Sequence, residues 1–277
     1  MHFVVCLKQV PDTSEVRIDP ATNTLMRQGV PSIINPYDIH CVEEAICMKE
    51  KMGGKVTIVS MGPMQAVEAL KKAMTFGADR AILLSDRAFG GSDSLATAYI
   101  LSTALQKINE TEPIDLVLAG KEAIDGDTAQ TGPGIAQRLG FPQLTYVIKI
   151  RELTNSSIIV ERKTESGRQV VEALLPALIT VEKELNDVRY ASLPNVMKAA
   201  QYEPEIWDAK ALNFDKTQMG LKGSPTSVTK IFAPLGRSGG EIIDGTKDPV
   251  GTAAVVVQKI LQQNIIMINP QIKGGIQ

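Results

Sequence analysis

Short apolar runs alternate with longer segments of helical periodicity over roughly the first 150 residues. An apolar run of about five residues predicts a buried strand, and apolar positions three or four residues apart predict a helix. Glycine and proline mark the turns between them. The predicted strands are Phe3–Leu7, Lys55–Met61, Arg80–Leu84 and Leu116–Ala119. The predicted helices run from Asn35-Pro36 to Gly53-Gly54, from Met64 to about Phe76 and from Leu95 to Ile108, and a fourth ends near Leu139-Gly140.

The pattern changes after Phe141-Pro142. Three β-rich segments separated by Asn155-Ser156 and Ser166-Gly167 predict an antiparallel hairpin or meander. Beyond Asn186 the regular alternation is lost, and proline and glycine predict an extended arm. The predicted strands here are Thr145–Arg151, Ile158–Lys163, Val170–Leu174 and Ala177–Glu182, the irregular segments are Gly220–Pro225 and Pro234–Gly240, and a last helix runs from Val250 to Gln262; a smaller hairpin, Val16–Asp19 with Thr24–Arg27, precedes the first helix.

Strands that alternate with helices of about ten residues or more predict a parallel sheet covered by helices on both faces. The predicted fold is α/β, a doubly wound, mostly parallel sheet with an added antiparallel hairpin and an extended C-terminal arm. We expect residues 1–200 to form one domain that includes the hairpin, and residues 201–277 to form an arm that buries its apolar side chains on a partner. Ligands of such sheets bind beyond the carboxyl ends of the strands. The loops expected there are Lys8–Thr13, Gly62-Pro63, Ser85–Ser94 and Gly120–Gly132.

Composition excludes several classes of protein. The 277 residues carry a net charge of -2, so no bulk positive charge favours nucleic acid or an anionic membrane surface. No apolar stretch approaches the ~18 residues that a membrane span needs, and the apolar start is interpreted as a buried strand. Three cysteines and two histidines lie outside metal-ligand or CxxC spacing, which favours structural roles and a reducing, cytoplasmic location.

The segment Gly120–Gly134 carries the most chemical information. It follows a predicted strand and opens a predicted helix, where unpaired backbone amides bind phosphate. Thr128 and Thr131 add hydroxyl donors. The alternative is an Asp/Thr cap on a surface helix, because the segment matches neither a P-loop nor GxGxxG.

Several motifs together resemble the beta subunit of electron-transfer flavoproteins. The loop Gly120-Lys121-x-Ala123-Ile124-Asp125-x-Asp127-x-x-Gln130-Thr131-Gly132 resembles the nucleotide loop of that family. Further matches are Val5–Asp12, Asn35–Asp38, Val59–Pro63, Phe76–Ala81, Val160–Arg162, Leu175–Thr180 and Arg189–Ala199, so the resemblance covers residues 3 to about 200. The resemblance implies an alpha subunit that holds a redox-active FAD, and a beta-subunit site that binds either AMP or a second FAD.

Two positions favour FAD in the beta-subunit site. Members that bind AMP usually carry an acid where this chain has Gly126 and an asparagine where it has Ala129. A carboxylate beside a phosphate costs about 1–4 kcal/mol, depending on screening, and its side chain would also lie in the path of a dinucleotide. The resemblance therefore points to the FAD-binding, bifurcating members.

A second segment, Arg87–Ala98, resembles the glycine/aspartate loop that bifurcating members place over the flavin ring. Gly90 and Gly91 permit flat contact with a ring, and the three polar residues Ser92, Asp93 and Ser94 can bond its edge. The alternative for Asp93 or Ser94 is a helix cap, which is compatible with binding. Arg87 faces either a flavin or NADH phosphate or solvent.

The resemblance assigns a nucleotide pocket and a docking site. The pocket comprises Cys6, Asn35, Met61, Gly120, Ala123, Asp125, Gly126, Asp127, Thr128, Ala129, Gln130 and Thr131, joined by Arg87, Gly90, Gly91, Ser92, Asp93 and Ser94 of the second loop. Cys6 and Met61 are expected as apolar walls, and at least one of Asp125 and Asp127 is expected to face ribose hydroxyls or backbone amides. Partner docking is assigned to Leu193, Pro194, Val196 and Met197, with Leu193 as an exposed anchor whose alternative is internal core.

The implied function is electron bifurcation within a larger oxidoreductase complex that uses NAD. Hydride from NADH would reach the beta-subunit FAD, and its two electrons would go to ferredoxin or flavodoxin and, through the alpha-subunit FAD, to an acyl-CoA or lactate dehydrogenase. No side chain need act as nucleophile or base, and no activity is assigned to the chain alone. One alternative is a conventional, AMP-binding one-electron shuttle. The other is an adenylating enzyme, although no SGGxDS-type motif follows the first strand.

Overall fold

The computed structural model describes residues 1–12, 17–18, 25–26, 31–212, 214–229 and 240–262, with backbone alone at 17–18 and 25–26. The chain divides into two compact units, Met1–Phe232 and Ala233–Gln277. The larger unit carries all the strands among the described residues, and the part of the smaller unit that is described contains one helix. The expected division at residue 200 stays a prediction.

Thirteen strands and seven α-helices are formed by the described residues. The strands are β1 His2–Cys6, β2 Gln9–Pro11, β3 Arg17–Ile18, β4 Leu25–Met26, β5 Ser32–Ile34, β6 Lys55–Met61, β7 Arg80–Leu84, β8 Leu116–Gly120, β9 Gln143–Leu153, β10 Ser157–Thr164, β11 Gly167–Leu174, β12 Ala177–Val181 and β13 Glu205–Trp207. The helices are α1 Asp38–Met52, α2 Val67–Met74, α3 Ser94–Thr111, α4 Thr131–Leu139, α5 Leu193–Ala200, α6 Gly220–Gly223 and α7 Pro249–Gln262.

Nine strands form one sheet in the order β11-β10-β9-β12-β8-β1-β6-β7-β13. The pairs from β9 to β13 are parallel, whereas β9, β10 and β11 form an antiparallel meander at the other edge. Strand β1 lies at the centre, with Phe3 opposite Val56 of β6 and Leu116 of β8. The predicted mostly parallel sheet with an antiparallel addition is confirmed.

Helices cover both faces of the sheet because the side chains of each strand alternate in direction. Phe3 and Val5 belong to the apolar core shared with α1 and α2. Val4 and Cys6 belong to the core on the opposite face, which contains α3 and α4. This arrangement is the doubly wound fold that the sequence predicts.

Three segments differ from the sequence prediction. Helix α1 begins at Asp38 instead of Pro36, because residues 36 and 37 form a turn in which the Asn35 carbonyl accepts from the Asp38 and Ile39 amides. The predicted helix from Met64 starts as a 3₁₀ turn, Met64–Ala66, and α2 follows it.

The third difference is strand β13, which the sequence pattern did not predict. Strand β13 joins the sheet beside β7, and Phe214 and Met219 are buried in the core with α3. Residues 205–212 and 214–224 belong to the larger unit, whereas only Gly240 of the predicted irregular segment Pro234–Gly240 lies within the described residues. In the smaller unit α7 spans almost the predicted range, and none of its residues is buried. No helix in the described ranges combines the length and apolar character needed to cross a membrane.

Candidate functional site

A cavity of about 340 Å³ lies beyond the carboxyl ends of β1, β6 and β8, and we call it the central cavity. Its volume is in the range of small-molecule sites. It brings together most of the predicted pocket: Cys6, Asn35, Met61, Ser92, Asp93, Ser94, Gly120, Ala123, Gly126, Asp127, Thr128, Ala129 and Thr131. Cys6 and Met61 form part of the cavity wall. The central cavity is therefore where the predicted fold class places its ligands.

The loop before α4 contains backbone amides without a hydrogen-bond acceptor among the described residues. Among the described residues, the amides of Thr128, Ala129, Thr131 and Gly132 find no acceptor. Ala129 has φ of +53°, and Gln130 after it is in the right-handed helical region. Alternation of these two conformations turns successive amides to one side and forms an anion-binding concavity. The partial positive charge of the helix start adds to it.

Gly126 lies beside these amides with free space around it. A Cβ placed on Gly126 would meet no atom of the described residues within 4 Å, and its φ lies outside the left-handed region. The fold therefore does not require glycine at this position. Because glycine has no side chain, the space beside the backbone amides of this loop stays open.

Gly120 and Gly132 are required by packing within the protein. A Cβ on Gly120 would lie 2.2 Å from Asp38 Oδ1, and one on Gly132 would lie 2.6 Å from Thr180 Cγ2. These two glycines allow the loop to pack against α1 and β12. Close approach of a ligand is not the reason for glycine there.

Asp125 does not line the central cavity. Its carboxylate accepts two hydrogen bonds from the Lys8 ammonium, at 2.6 and 2.8 Å, and so ties the loop to the chain after β1. Asp127 has φ of +47°, and its side chain bonds no donor among the described residues. Of these two aspartates, Asp127 is the one that lines the central cavity, and its contact with ribose hydroxyls stays a prediction.

Two side chains near the start of α1, those of Asn35 and Asp38, form hydrogen bonds with the backbone of residues 120–124. Asn35 donates to the Glu122 carbonyl at 2.8 Å and accepts from the Ile124 amide at 3.2 Å. Asp38, which sequence reasoning did not select, accepts from the Lys8 amide at 2.7 Å and the Gly120 amide at 3.0 Å. The buried Asp38 carboxylate therefore joins the chain after β1 to the chain after β8.

Burial raises the pKa of Asp38 to about 7, although the amides of Lys8 and Gly120 act in the opposite direction. Desolvation disfavours the charged form, and here it outweighs the donors. The neighbouring Cys6 thiol has its pKa raised to about 12, by burial first and then by Asp38. Cys6 is therefore a neutral thiol in the cavity wall.

Asp93 acts as a helix cap, as the sequence alternative stated. Its Oδ1 accepts from the Leu95 and Ala96 amides, and its Oδ2 accepts from the amide and hydroxyl of Thr226. Four donors fill the capacity of a carboxylate. Desolvation acts to raise its pKa, but these donors prevail and hold it below its ordinary value. Asp93 fixes the loop, and Ser94 beside it keeps a hydroxyl that no described residue bonds.

The remaining predicted residues lie away from the central cavity. Arg87 and Gly90 line a second cavity on the other side of the same loop. Gly91 has φ of +77° and packs against Leu221, while Gln130 is an exposed residue at the start of α4.

Lys121 is a further cavity residue that sequence reasoning did not select. Its ammonium lies 5.7 Å from the ring centre of Tyr37 and 5.6 Å from that of Tyr146, within reach of Glu122 and Glu182. Lys8, Asp38 and Lys121 all lie in motifs quoted for the resemblance. Their presence in those motifs could have identified them as candidate site residues.

The predicted docking residues are exposed on α5. Leu193 is 72% exposed and Met197 63%, and Pro194 and Val196 are also exposed. The alternative that Leu193 belongs to the core is excluded. A role in docking stays a prediction.

Fold and site together define a doubly wound α/β protein with an amide-lined loop that suits the phosphates of a nucleotide. A family model described as electron transfer flavoprotein domain matches residues 22–212. Protein FixA of Azotobacter vinelandii is 51% identical over 269 residues, which cover 95% of this chain and 96% of the relative. The electron transfer flavoprotein subunit beta of Clostridium acetobutylicum is 48% identical over 266 residues, covering 96% and 100%.

A third relative is the caffeyl-CoA reductase-Etf complex subunit CarD of Acetobacterium woodii. It is 46% identical over 267 residues, covering 96% of this chain and 100% of the relative. The chain belongs to the electron transfer flavoprotein family, and its relatives are beta subunits and FixA proteins. The role of this chain is electron transfer. Beta subunits of this family pair with an alpha subunit. The family resemblance seen in the sequence is therefore confirmed.

Proposed function

We propose that the chain is the beta subunit of an electron-bifurcating flavoprotein whose central cavity holds FAD. Bound there, FAD would accept hydride from NADH and pass one electron to ferredoxin or flavodoxin and one to a second FAD in the alpha subunit. The alpha-subunit FAD would feed an acyl-CoA or lactate dehydrogenase. We place the complex in the reducing cytoplasm, consistent with three free cysteines.

One observation carries the proposal: the open space at Gly126 borders the unpaired amides of Thr128, Ala129, Thr131 and Gly132. Four amides and a helix start suit more than one phosphate. Because no side chain projects from position 126, the diphosphate of a dinucleotide meets neither bulk nor negative charge there.

The chain's own residues bind and orient the nucleotide. Asp38 and Asn35 fix the loop through its backbone, and Lys8 neutralises Asp125 beside it. Asp127 is available for ribose hydroxyls, and Ser94 and Thr128 offer hydroxyl donors from the facing loops. None of these groups need act as nucleophile or general base, since the redox chemistry belongs to the cofactor.

The relative named as a subunit of a caffeyl-CoA reductase-Etf complex supports a dehydrogenase that acts on an acyl-CoA as partner. The exposed Leu193 and Met197 are proposed as the contact with this dehydrogenase. Large apolar side chains on a short exposed helix suit an anchor that enters a pocket of the partner.

The test is to purify the alpha–beta complex, release its nucleotides and identify them. We expect two FAD molecules per heterodimer. One FAD together with one AMP would support the conventional shuttle and reject bifurcation.

Variants at position 126 separate charge from size. We expect Gly126→Asp to lose most of the beta-subunit FAD, because a carboxylate near phosphate costs about 1–4 kcal/mol. Gly126→Asn has nearly the same volume without the charge, so it should retain more FAD. Equal FAD content in both variants would show that electrostatic repulsion at position 126 does not control FAD binding.

A further inference from the structure

A second cavity of about 470 Å³ lies in the larger unit, on the side of the loop 87–92 away from the central cavity. It is open to solvent. Four exposed cationic side chains line it, Arg87, Lys210, Lys216 and Lys222, and we call these four the basic cluster.

The basic cluster is not neutralised by its surroundings. None of its four cations forms an ion pair within the described ranges, although Arg80, Lys8 and others do. Asp86 is the acidic residue that lines the second cavity, and it accepts from the Ala88 amide at 2.8 Å and the Ala209 amide at 3.0 Å. Four positive charges and one negative charge leave a net of three positive charges.

Two further carboxylates in the same segment are directed to their own turns. Asp208 accepts from the Lys210 and Ala211 amides, and Asp215 accepts from Thr217 and Gln218. Neither lines the second cavity. The ammonium groups there are free to meet an anion from outside the chain.

An apolar residue lies among these cations. Leu221 is 72% exposed and packs over Gly91, which has φ of +77° and no room for a Cβ. An apolar centre within a charged rim is the composition of a protein docking surface. Electron-transfer encounters use such small surfaces.

The second cavity lies close to the proposed FAD site. Gly90 lines the second cavity and Ser92 lines the central cavity. Residues two apart have Cα atoms within about 7.6 Å of each other. A carrier bound at the basic cluster would therefore be separated from the central cavity by a single loop.

We propose that the basic cluster and Leu221 form the docking surface for a small, acidic one-electron carrier protein. This inference rests on the proposed function. It locates on this chain the binding site for the carrier that accepts one of the two electrons. Charge complementarity accelerates association and fixes orientation, while a small interface allows rapid release.

The test measures binding of a purified acidic ferredoxin to the intact alpha–beta complex by calorimetry at low and high salt. The variant is Lys210→Glu/Lys216→Glu/Lys222→Glu. Its control, Lys51→Glu/Lys72→Glu/Lys107→Glu, changes the net charge equally at exposed lysines elsewhere. A milder variant with glutamine at 210, 216 and 222 covers the case in which the reversed variant does not fold.

We expect the reversed variant to raise the Kd at least about tenfold and the glutamine variant to raise it less. The control should stay within about twofold, and high salt should weaken wild-type binding. In all variants the FAD content and the rate of flavin reduction by NADH should remain at the wild-type level.

Equal Kd values for the reversed variant and its control would overturn the docking surface. Slower flavin reduction by NADH with an unchanged Kd would also overturn it, and would assign the cations to a nucleotide phosphate. A complex that contains AMP and a single FAD would instead reject the proposed function, so the two failures are distinguishable.

Discussion

Asp38 is a single side chain on which two parts of the central cavity depend. It is buried at the start of α1 and accepts the amides of Lys8 and Gly120, which belong to loops after different strands. A buried carboxylate is destabilising by itself unless donors compensate. Here the pKa of about 7 indicates that compensation is incomplete.

We predict that Asp38 makes the stability of the protein depend on pH. Since the folded-state pKa of Asp38 exceeds the ordinary 3.8, the native state keeps a proton that the unfolded state has lost between about pH 4 and 7. The free energy of unfolding should therefore fall across this range. Three pKa units correspond to a change on the order of 4 kcal/mol.

Asp38→Asn removes this contribution. The difference in unfolding free energy, wild type minus variant, should be larger near pH 5 than near pH 8, as measured by urea denaturation. The variant should also be less stable throughout, since one backbone amide would face an amide NH₂ group, which costs about 1–3 kcal/mol. Parallel pH profiles would contradict the assignment.

What the sequence could predict at residue scale depended on chain distance. Gly126 and the loop amides lie within a few residues of each other, so their association was visible in the sequence. The packing that requires glycine at position 120 was not visible in the sequence, because its contact, Asp38, lies 82 residues away in the chain. Asp38 lies in a motif quoted for the resemblance, but that motif indicates a helix start and does not show that the carboxylate joins two loops.

At the scale of elements, the start of α3 connects the larger unit's core to the chain around residue 226. Asp93 caps α3 through one oxygen and holds Thr226 through the other. Capping by Asp and Ser is similarly effective, whereas Ala does not cap. The two functions of Asp93 can therefore be separated by substitution.

We predict that Asp93→Ala lowers the unfolding free energy by about 1–2 kcal/mol through loss of the cap. Asp93→Ser should recover much of this stability, because a serine hydroxyl can accept from the Ala96 amide but is too short to hold Thr226 as well. Urea denaturation measures both. Equal losses in the two variants would show that the link to Thr226 dominates.

Helices and strands were predicted correctly where the hydrophobic periodicity and the turn-forming residues indicated the same boundaries. The strands β6 and β7 match their predicted bounds, because each is an apolar run that glycine or a polar loop terminates. Strand β13 was missed because Glu205–Trp207 has three residues and no alternating pattern. The loop 87–92 was found, but a sequence does not show which side of a loop faces which cavity, and Arg87 and Gly90 line the second one.

At the scale of the whole molecule, the exposed apolar residues of α5 form a surface that the larger unit leaves uncovered. Leu193 and Met197 differ in this from the apolar residues of the sheet, which both helix layers cover. The exposure of these side chains decides whether Leu193 is a surface residue or part of the core. In the sequence, Pro194 was the only indication of that exposure.

We predict that Leu193→Ala weakens binding of the alpha–beta complex to its dehydrogenase by at least about 2 kcal/mol, the size of an anchor residue. Leu174→Ala is the matched control, because Leu174 is 69% exposed on the hairpin strand β11. Surface plasmon resonance measures both affinities. The FAD content should be unchanged, and an equal loss in the control would argue against a specific anchor.

The segment before α5 is already held in place on α1. Asn186 donates to the His40 carbonyl and to Glu44, and Arg189 reaches Glu43, Glu50 and the Cys47 sulfur on successive turns of that helix. Ordering a loop at the moment of association reduces affinity, and these contacts with α1 hold the segment within the subunit itself. We therefore expect the surface to need no folding step when a partner binds. The association rate should then depend on diffusion and orientation.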